Sequence, residues 1–125
     1  MILGLGIDII EVERIRDIWK RHGERFARRI LRDSEIAYCL SHADPAPCLA
    51  VRFAAKEAVS KAFGTGIGAD LNWQDIEVER LPSGQPVIRL HDAGARLLES
   101  RGATRVHLSL THSNGHAAAV AILEN

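Results

Sequence analysis

The sequence has few cysteines, few aromatic residues and no long apolar run, and these shortages exclude several classes of protein. Its two cysteines, Cys39 and Cys48, are too few to stabilise a secreted domain of this size by disulfide bonds, and they lack the spacing of metal ligands. We therefore expect two free thiols in a reducing compartment. No apolar run approaches the roughly 20 residues of a membrane span, and no basic segment precedes the first apolar stretch. These features predict a cytoplasmic protein.

The sequence also lacks an excess of either charge, because 16 lysines and arginines balance 16 aspartates and glutamates. Bulk charge therefore gives no indication of nucleic-acid or membrane binding. The basic residues are nevertheless concentrated between Glu13 and Arg32, a segment that contains few acids. This distribution predicts a basic helical face on a protein that is neutral as a whole.

The length of 125 residues and an apolar content of 46% predict one globular domain over residues 1–125. Patterns of period two and of period 3.6 alternate along the chain, which favours an α+β fold with mainly antiparallel sheet packed against helices. We expect strands at 2–10, 76–78, 87–90, 106–111 and 117–123, and helices at 11–26, 33–40, 49–63 and 92–101. Asp33 or Ser34 is expected to cap the second helix, and Gly64 to end the third.

Three charged residues are candidates for a site. Asp8 ends an apolar strand, where a carboxylate must be solvated, hydrogen-bonded or bound to a cation. Glu57 and Lys61 are four residues apart, so they share one face of the predicted helix with Phe53. A solvated strand end and an ordinary surface ion pair are the alternative interpretations of these positions.

The segment from Gly64 to Gly68 contains three glycines but follows a helix, so it is neither a P-loop nor a dinucleotide-binding turn. Its backbone could approach a phosphate, or it could simply cap the helix. His107 shares a strand face with Ser109 and Thr111, which suits a polar site or a structural partner. His112 and His116 flank a turn without recognised metal spacing.

Four segments, in order along the chain, resemble the motifs of one enzyme family. They are GLGIDIIE at 4–11, RFAAKEAVSKA at 52–62 with Gly-Thr-Gly at 64–66, Gly-Gln-Pro at 84–86, and VHLSLTH at 106–112. On these motifs the sequence resembles the holo-acyl-carrier-protein synthases, the small bacterial class of 4′-phosphopantetheinyl transferases. The match runs nearly from end to end.

The resemblance implies a Mg²⁺-dependent transferase that moves 4′-phosphopantetheine from coenzyme A to a serine of an apo acyl carrier protein. Adenosine 3′,5′-bisphosphate leaves, and the reaction serves fatty acid biosynthesis. Asp8 and Glu57 would bind Mg²⁺, a hard ion that prefers carboxylate and phosphate oxygens. Asp8, Glu57 and Lys61 would be the catalytic residues. The base would be Glu57 or a water at the ion. The resemblance also implies a homotrimer with active sites between subunits.

The resemblance further implies which residues bind coenzyme A. Arg52 and His107 would bind the 3′-phosphate, and Lys61 the pyrophosphate charge. Other residues would border the nucleotide, namely Gly64, Thr65, Gly66 and Pro86. Some relatives have an acid after the second histidine, where this sequence has Ser113, so no carboxylate role carries over to that position.

The resemblance implies that the basic first helix docks the acidic acyl carrier protein. The candidate contacts are Arg14, Arg21, Arg25 and Arg28. Complementary charge accelerates encounter and selects the partner, and salt weakens it. Two alternatives remain at this point. The enzyme could serve polyketide or peptide carriers, or the chain could be a non-catalytic module that binds an acidic partner through its arginines.

Overall fold

Five strands and five α-helices form two antiparallel sheets and a helical layer in the computed structural model, which describes residues 1–125. The strands are β1 (Ile2–Glu11), β2 (Ile76–Arg80), β3 (Pro86–Leu90), β4 (Arg105–His112) and β5 (His116–Glu124). The helices are α1 (Val12–His22), α2 (Glu24–Ile30), α3 (Asp33–Leu40), α4 (Ala46–Phe63) and α5 (Asp92–Ser100). The predicted α+β class with antiparallel strands is confirmed.

The larger sheet has the order β1-β5-β4, and the hairpin of β2 and β3 forms the second sheet. Alternate side chains of β5, from Ala117 to Leu123, are buried against α4. Thirteen of the 18 residues of α4 are buried, so this helix is the centre of the core. Its many alanines keep its surface flat, which allows the sheet to approach closely.

Two glycines of β1 bring the strand unusually near to α4. A Cβ atom at Gly4 would overlap the carbonyl oxygen of Ala62, and one at Gly6 would overlap that of Ala58. Only glycine is compatible with this separation. The contact fixes β1 along the helix, and the chemistry described below depends on that position.

The opposite face of the larger sheet, here called the outer face, has an apolar row on β1. Leu5, Ile7 and Ile9 are 65%, 64% and 67% exposed. The register pairs Leu5 with Ile122 of β5, and Ile122 with His107 of β4. The aliphatic row of β1 is therefore separated from the polar strand β4 by β5, on a face that no other element of the chain covers.

Several predicted boundaries differ from the structure. The helix expected from residue 11 to 26 is broken at Gly23, whose φ of 55° lies outside the range of a helix, so α1 and α2 are separate. His22, at the end of α1, is exposed. Neither Asp33 nor Ser34 caps α3, because Arg32 occupies that position. The third predicted helix begins three residues early, at Ala46, and the cap by Gly64 is confirmed by its φ of 78°.

The prediction of two free thiols is wrong. The turn between α3 and α4 brings the Cα atoms of Cys39 and Cys48 to 5.4 Å, and their sulfurs form a disulfide. The number and the spacing of the cysteines favour free thiols. The pairing depends instead on how two neighbouring helix ends meet, which spacing alone does not specify.

A buried ion pair joins α3 to α4. Lys56 is fully buried, and its Nζ donates to Glu35 Oε1 at 2.8 Å and to the carbonyl oxygens of Ile30 and Trp73. All three ammonium protons therefore have acceptors. This lysine is structural, although it lies one residue from Glu57. None of the five helices combines the length and the apolar content that a membrane crossing requires.

Candidate active site

Asp8, Glu57 and Lys61 line one cleft of about 520 Å³ between β1, α4 and the start of α1. Glu57 and Lys61 project from the same face of α4, one turn apart, as their spacing predicted. Asp8 lies two residues beyond Gly6, whose contact with Ala58 positions the strand beside them. The structure therefore brings together three residues that are up to 53 positions apart.

Asp8 and Lys61 form the polar centre of the cleft. The Nζ of Lys61 donates to Asp8 Oδ1 at 2.9 Å and to the carbonyl oxygen of Ile7 at 3.0 Å. The Asp8 side chain is largely buried, whereas that of Lys61 is half-exposed. The ammonium group is thus held at the opening of the cleft with one proton available to an incoming anion.

Glu57 lies beside this pair without an ionic partner of its own. Partial burial raises the pKa of its carboxyl, and the nearby charge of Asp8 raises it further, while Lys61 acts in the opposite direction. Two carboxylates therefore face a shared space, and a cation there would relieve their repulsion.

The donor set fits Mg²⁺ that is shared with a phosphate. Mg²⁺ in such sites takes one or two carboxylates, with waters and substrate phosphates completing its octahedron. Asp8 and Glu57 supply two carboxylates in a cleft large enough for these further ligands. No group of three or more histidine, cysteine, aspartate or glutamate side chains could form an all-protein metal site.

Arg52 lies outside this cleft, although the sequence places it in the same motif as Glu57. It is 4% exposed and lines a second pocket of about 210 Å³, which shares no residue with the cleft. Its guanidinium carbon lies 4.7 Å from the ring centre of Tyr38, and that of Arg80 lies 5.1 Å from it. Burial, and to a lesser degree Arg80, lowers the pKa of Arg52. We call this second site the arginine pocket.

His107 lies on the outer face of the sheet and lines neither the cleft nor the arginine pocket. Its Nε2 is 2.9 Å from Glu124 Oε1, and this hydrogen bond lowers the pKa of the Glu124 carboxyl. The structural partner that the sequence left open for His107 is therefore Glu124.

The loop after α4 uses its backbone donors to end the helix. The N–H of Gly64 bonds the carbonyl oxygen of Lys61, and those of Thr65 and Gly66 bond that of Ser60. These three groups are therefore engaged as a helix cap in this conformation. Residues 64–66 stay predicted neighbours of the nucleotide. Pro86 begins β3 and is paired with Arg80 across the hairpin.

The predicted docking arginines are all exposed on α1 and α2. Arg14 also lines the cleft, so the basic surface continues into it. Between the two helices, Ile18 and Phe26 line a groove of about 410 Å³, bordered by basic side chains at 22, 25 and 29. The break at Gly23 creates this groove, which the sequence prediction of one continuous helix did not contain.

The cleft is also lined by Glu11, Phe53 and His116. The sequence did not identify Glu11 or His116 as residues of a site. The register of β1 and β5 pairs Glu11 with His116. Strand register is set by long-range packing, so only the polar end of each strand could have suggested this pairing.

Comparisons with known proteins show which family the chain belongs to. Residues 4–121 match the family model of the 4′-phosphopantetheinyl transferase superfamily. The chain is 50% identical to the holo-[acyl-carrier-protein] synthase of Nitratidesulfovibrio vulgaris strain Hildenborough over 125 residues, which is 100% of both chains. It is also 50% identical to the synthase of Chlamydia trachomatis serovar L2, covering 97% of this chain and 98% of that one.

Solved structures show the same similarity. The holo-[acyl-carrier-protein] synthase of Neisseria meningitidis superposes with a TM-score of 0.93 at 36% identity, covering 100% of both chains. The synthase of Helicobacter pylori, in complex with coenzyme A, gives a TM-score of 0.86 at 34% identity, covering 96% of this chain and 99% of that one. With the family model matched over nearly the whole chain, the protein belongs to the 4′-phosphopantetheinyl transferase superfamily and is a transferase.

Proposed function

We propose that this transferase is a holo-[acyl-carrier-protein] synthase, which uses coenzyme A to modify a serine of an apo acyl carrier protein in fatty acid biosynthesis. The observation that carries the proposal is the convergence of Asp8, Glu57 and Lys61 in one cleft of a chain that belongs to this superfamily. Curated relatives named for this activity match the chain over its full length.

In the proposed reaction, the serine hydroxyl gives its proton to the base, either Glu57 or a water in the cleft, and its oxygen forms a bond to the phosphorus that carries pantetheine. The bond from that phosphorus to the bridging oxygen breaks, and adenosine 3′,5′-bisphosphate leaves with the electron pair. Lys61 would donate to a phosphate oxygen while Asp8 holds its ammonium in place. Asp8 and Glu57 would hold Mg²⁺, which supplies positive charge to the pyrophosphate during transfer.

We also propose a homotrimer with active sites between subunits. The exposed row of Leu5, Ile7 and Ile9 supports it, because a contiguous apolar face of this kind is typical of an interface. The separation of the cleft from the arginine pocket also supports it. Neighbouring copies could supply the two sites to one coenzyme A molecule, with Arg52 and His107 as ligands of its 3′-phosphate.

We propose that the acidic carrier protein docks on α1 and α2. The exposed arginines supply charge complementarity, and the groove lined by Ile18 and Phe26 can accept an apolar side chain of the carrier. Arg14 connects this surface to the cleft, so a docked carrier would have its serine close to Lys61. A cytoplasmic location, where carrier and coenzyme A meet, remains a prediction from the sequence.

The test is to incubate the protein with coenzyme A, Mg²⁺ and an apo acyl carrier protein, and to measure the carrier mass. We expect a gain of one phosphopantetheine group, with none on a carrier whose acceptor serine is replaced by alanine. An unchanged mass of the intact carrier contradicts the proposal. Rates on fatty-acid, polyketide and peptide carriers, compared side by side, test the assignment to fatty acid biosynthesis.

A further inference from the structure

We infer that the Cys39–Cys48 disulfide is a redox switch of the arginine pocket, because its reduction creates a thiolate at Cys48 that pairs with Arg52 and competes with a bound phosphate. This inference rests on the proposed function, in which Arg52 binds the 3′-phosphate of coenzyme A, and it adds a control of that site. Neither cysteine belongs to the sequence motifs described above.

The disulfide forms part of the wall of the arginine pocket. Cys48 lines the pocket, and its Sγ accepts a hydrogen bond from Arg52 Nη1 at 3.1 Å. The two residues are four positions apart in α4, so they lie on the same face of that helix. A change of charge at this sulfur therefore acts directly on the Arg52 guanidinium.

Arg52 has no anionic partner while the disulfide is closed. It forms no ion pair with an acid. Its Nε has no hydrogen-bond partner, although the residue is only 4% exposed, and a buried donor of this kind costs free energy unless a ligand satisfies it. A disulfide sulfur is neutral, so its contact with Nη1 leaves the positive charge available to an anionic ligand.

The acids around Arg52 are engaged elsewhere. Asp44 lines the pocket, but its carboxylate is 2.6 Å from an arginine of α1. Glu35 is the acid whose charge acts most strongly on Arg52, and it bonds Lys56 at 2.8 Å. A thiolate at Cys48 would therefore be the anion best placed to pair with Arg52.

The two sulfurs of the disulfide differ in access. Cys39 is fully buried, whereas Cys48 is half-buried and borders the pocket, so a dithiol reductant attacks the sulfur of Cys48. The disulfide bond breaks, and the sulfur of Cys39 leaves with the electron pair and takes up a proton. The second thiolate of the reductant then attacks the mixed disulfide, closes its own disulfide and releases Cys48 as a thiolate. The protein gains two electrons, and the reductant loses two.

Arg52 favours the charged form of the released sulfur. A cationic side chain beside a cysteine stabilises the thiolate, and the existing 3.1 Å contact becomes an ion pair without rearrangement. This thiolate is tethered to the pocket, whereas a phosphate must arrive from solution. Reduction therefore weakens phosphate binding. In the predicted cytoplasmic location thiol reductants are present, and disulfides there are typically transient, catalytic or redox-sensing.

The inference is tested by calorimetric binding of adenosine 3′,5′-bisphosphate, with Mg²⁺ present, to the oxidised and to the dithiol-reduced protein. This nucleotide is the proposed leaving group, and it has no thiol that could reduce the disulfide during the titration. We expect the oxidised protein to bind it about tenfold more tightly, the scale of one charge-assisted hydrogen bond. Adenosine 5′-monophosphate, which lacks the 3′-phosphate, should bind both forms equally. Titration of free thiols verifies the redox state of each sample.

Two serine variants separate the charge of the thiolate from the loss of the crosslink. Both lack the disulfide, but Cys39→Ser keeps the sulfur beside Arg52, and Cys48→Ser removes it. With the reductant present, Cys39→Ser should bind the bisphosphate as weakly as the reduced wild type does. Cys48→Ser should bind it as tightly as the oxidised wild type does. Thermal unfolding checks that both variants are folded.

Three results overturn the inference. The first is a wild type whose affinity for the bisphosphate is unchanged by reduction. The second is equal affinity of the two serine variants, which would assign the effect to release of the loop between the cysteines. The third is equal weakening of both nucleotides on reduction, which would place the effect outside the arginine pocket.

The carrier-mass assay keeps this inference apart from the proposed function. A wild type whose affinity for the bisphosphate depends on its redox state, but which transfers nothing, contradicts the proposed function and leaves the switch standing. A wild type that modifies the carrier, but binds the bisphosphate equally in both redox states, contradicts only the switch.

Discussion

Gly6 of β1 lies so close to the carbonyl oxygen of Ala58 in α4 that no Cβ atom fits between them. Ala58 is next to Glu57, and Gly6 is two residues from Asp8, so this backbone contact determines how the two carboxylates meet. The site thus depends on the absence of a side chain at a position that performs no chemistry.

Gly6→Ala should therefore lower both the free energy of unfolding and the transfer activity. Inserting a methyl group against a fixed backbone oxygen typically costs about 1–3 kcal/mol, because strand or helix must shift. Urea unfolding measures the loss. Gly68→Ala is the matched control, since a Cβ atom there meets nothing within 4 Å. Equal stability of the two variants would show that β1 and α4 adjust without strain.

Asp8→Asn and Glu57→Gln should each lower the rate of carrier modification by about 100-fold or more, because each removes a charge that would hold Mg²⁺. The Mg²⁺ concentration for half-maximal rate should also rise in both variants. Rate against Mg²⁺ concentration checks this, with replacement of the exposed Glu99 of α5 by glutamine as the control. A variant with the wild-type rate and Mg²⁺ requirement would exclude its residue from metal binding.

Arg25→Glu should raise the KM for the carrier protein by about tenfold at low salt and change kcat little, because its effect is on encounter and docking. The difference from the wild type should shrink as added salt screens the charges. Steady-state rates at two salt concentrations measure both effects. Arg96→Glu, the same change on α5, should leave KM unaltered. Equal effects of both changes would indicate a nonspecific dependence on net charge.

Acidification should expose the contribution of Glu77 to stability. Burial by itself would raise the pKa of Glu77, but hydrogen bonds from His91 and Ser34 outweigh it and lower that pKa below its ordinary value of 4.5. A carboxyl with a lowered folded-state pKa stabilises the protein above pH 4.5 and loses this effect as pH falls through the folded value.

The free energy of unfolding of Glu77→Gln should therefore lie below that of the wild type at neutral pH. The free energies of unfolding of the variant and the wild type should converge as the pH falls. Urea unfolding at a series of pH values measures the gap. As the control, Glu99→Gln at an exposed position of α5 should have a free energy of unfolding that changes with pH as that of the wild type does. A gap for Glu77→Gln that stays constant below pH 4.5 would contradict this assignment.

Reduction of the Cys39–Cys48 disulfide should lower the free energy of unfolding by about 2–3 kcal/mol, the value expected from loop entropy for cysteines nine positions apart. Chemical unfolding with and without a dithiol reductant measures this difference. The double variant Cys39→Ser with Cys48→Ser should be insensitive to the reductant. A wild type of unchanged stability after complete reduction would show that the crosslink contributes nothing.

Local patterns predicted most of the fold. The alternation in β4 and the alanine-rich segment of α4 specify their elements because the signal is contained within each segment. Gly23 was a local signal as well, but the apolar spacing on either side of it favoured one helix. The two strands of the second sheet, expected at 76–78 and 87–90, are likewise confirmed by the structure.

The site was harder to predict from the sequence than the fold, because its residues converge through contacts between distant segments. The sequence identified Asp8, Glu57 and Lys61 as candidates, but only the resemblance brought them together. A usable signal was present: two glycines two positions apart on β1 match the alanines at 58 and 62 on α4. The arginine pocket gave no such sign, since Tyr38, Arg52 and Arg80 come from three elements and share no local pattern.

The pairing of β1 with β5 also constrains how the chain folds during synthesis. Ile2 pairs with Glu124, so the larger sheet joins segments that are more than a hundred residues apart. β1 therefore leaves the ribosome long before β5, its only strand partner, is synthesised. Until then β1 has no strand with which to pair. Closing such a long loop is entropically costly, and contacts this distant slow folding. The larger sheet is thus among the last parts of a nascent chain to form.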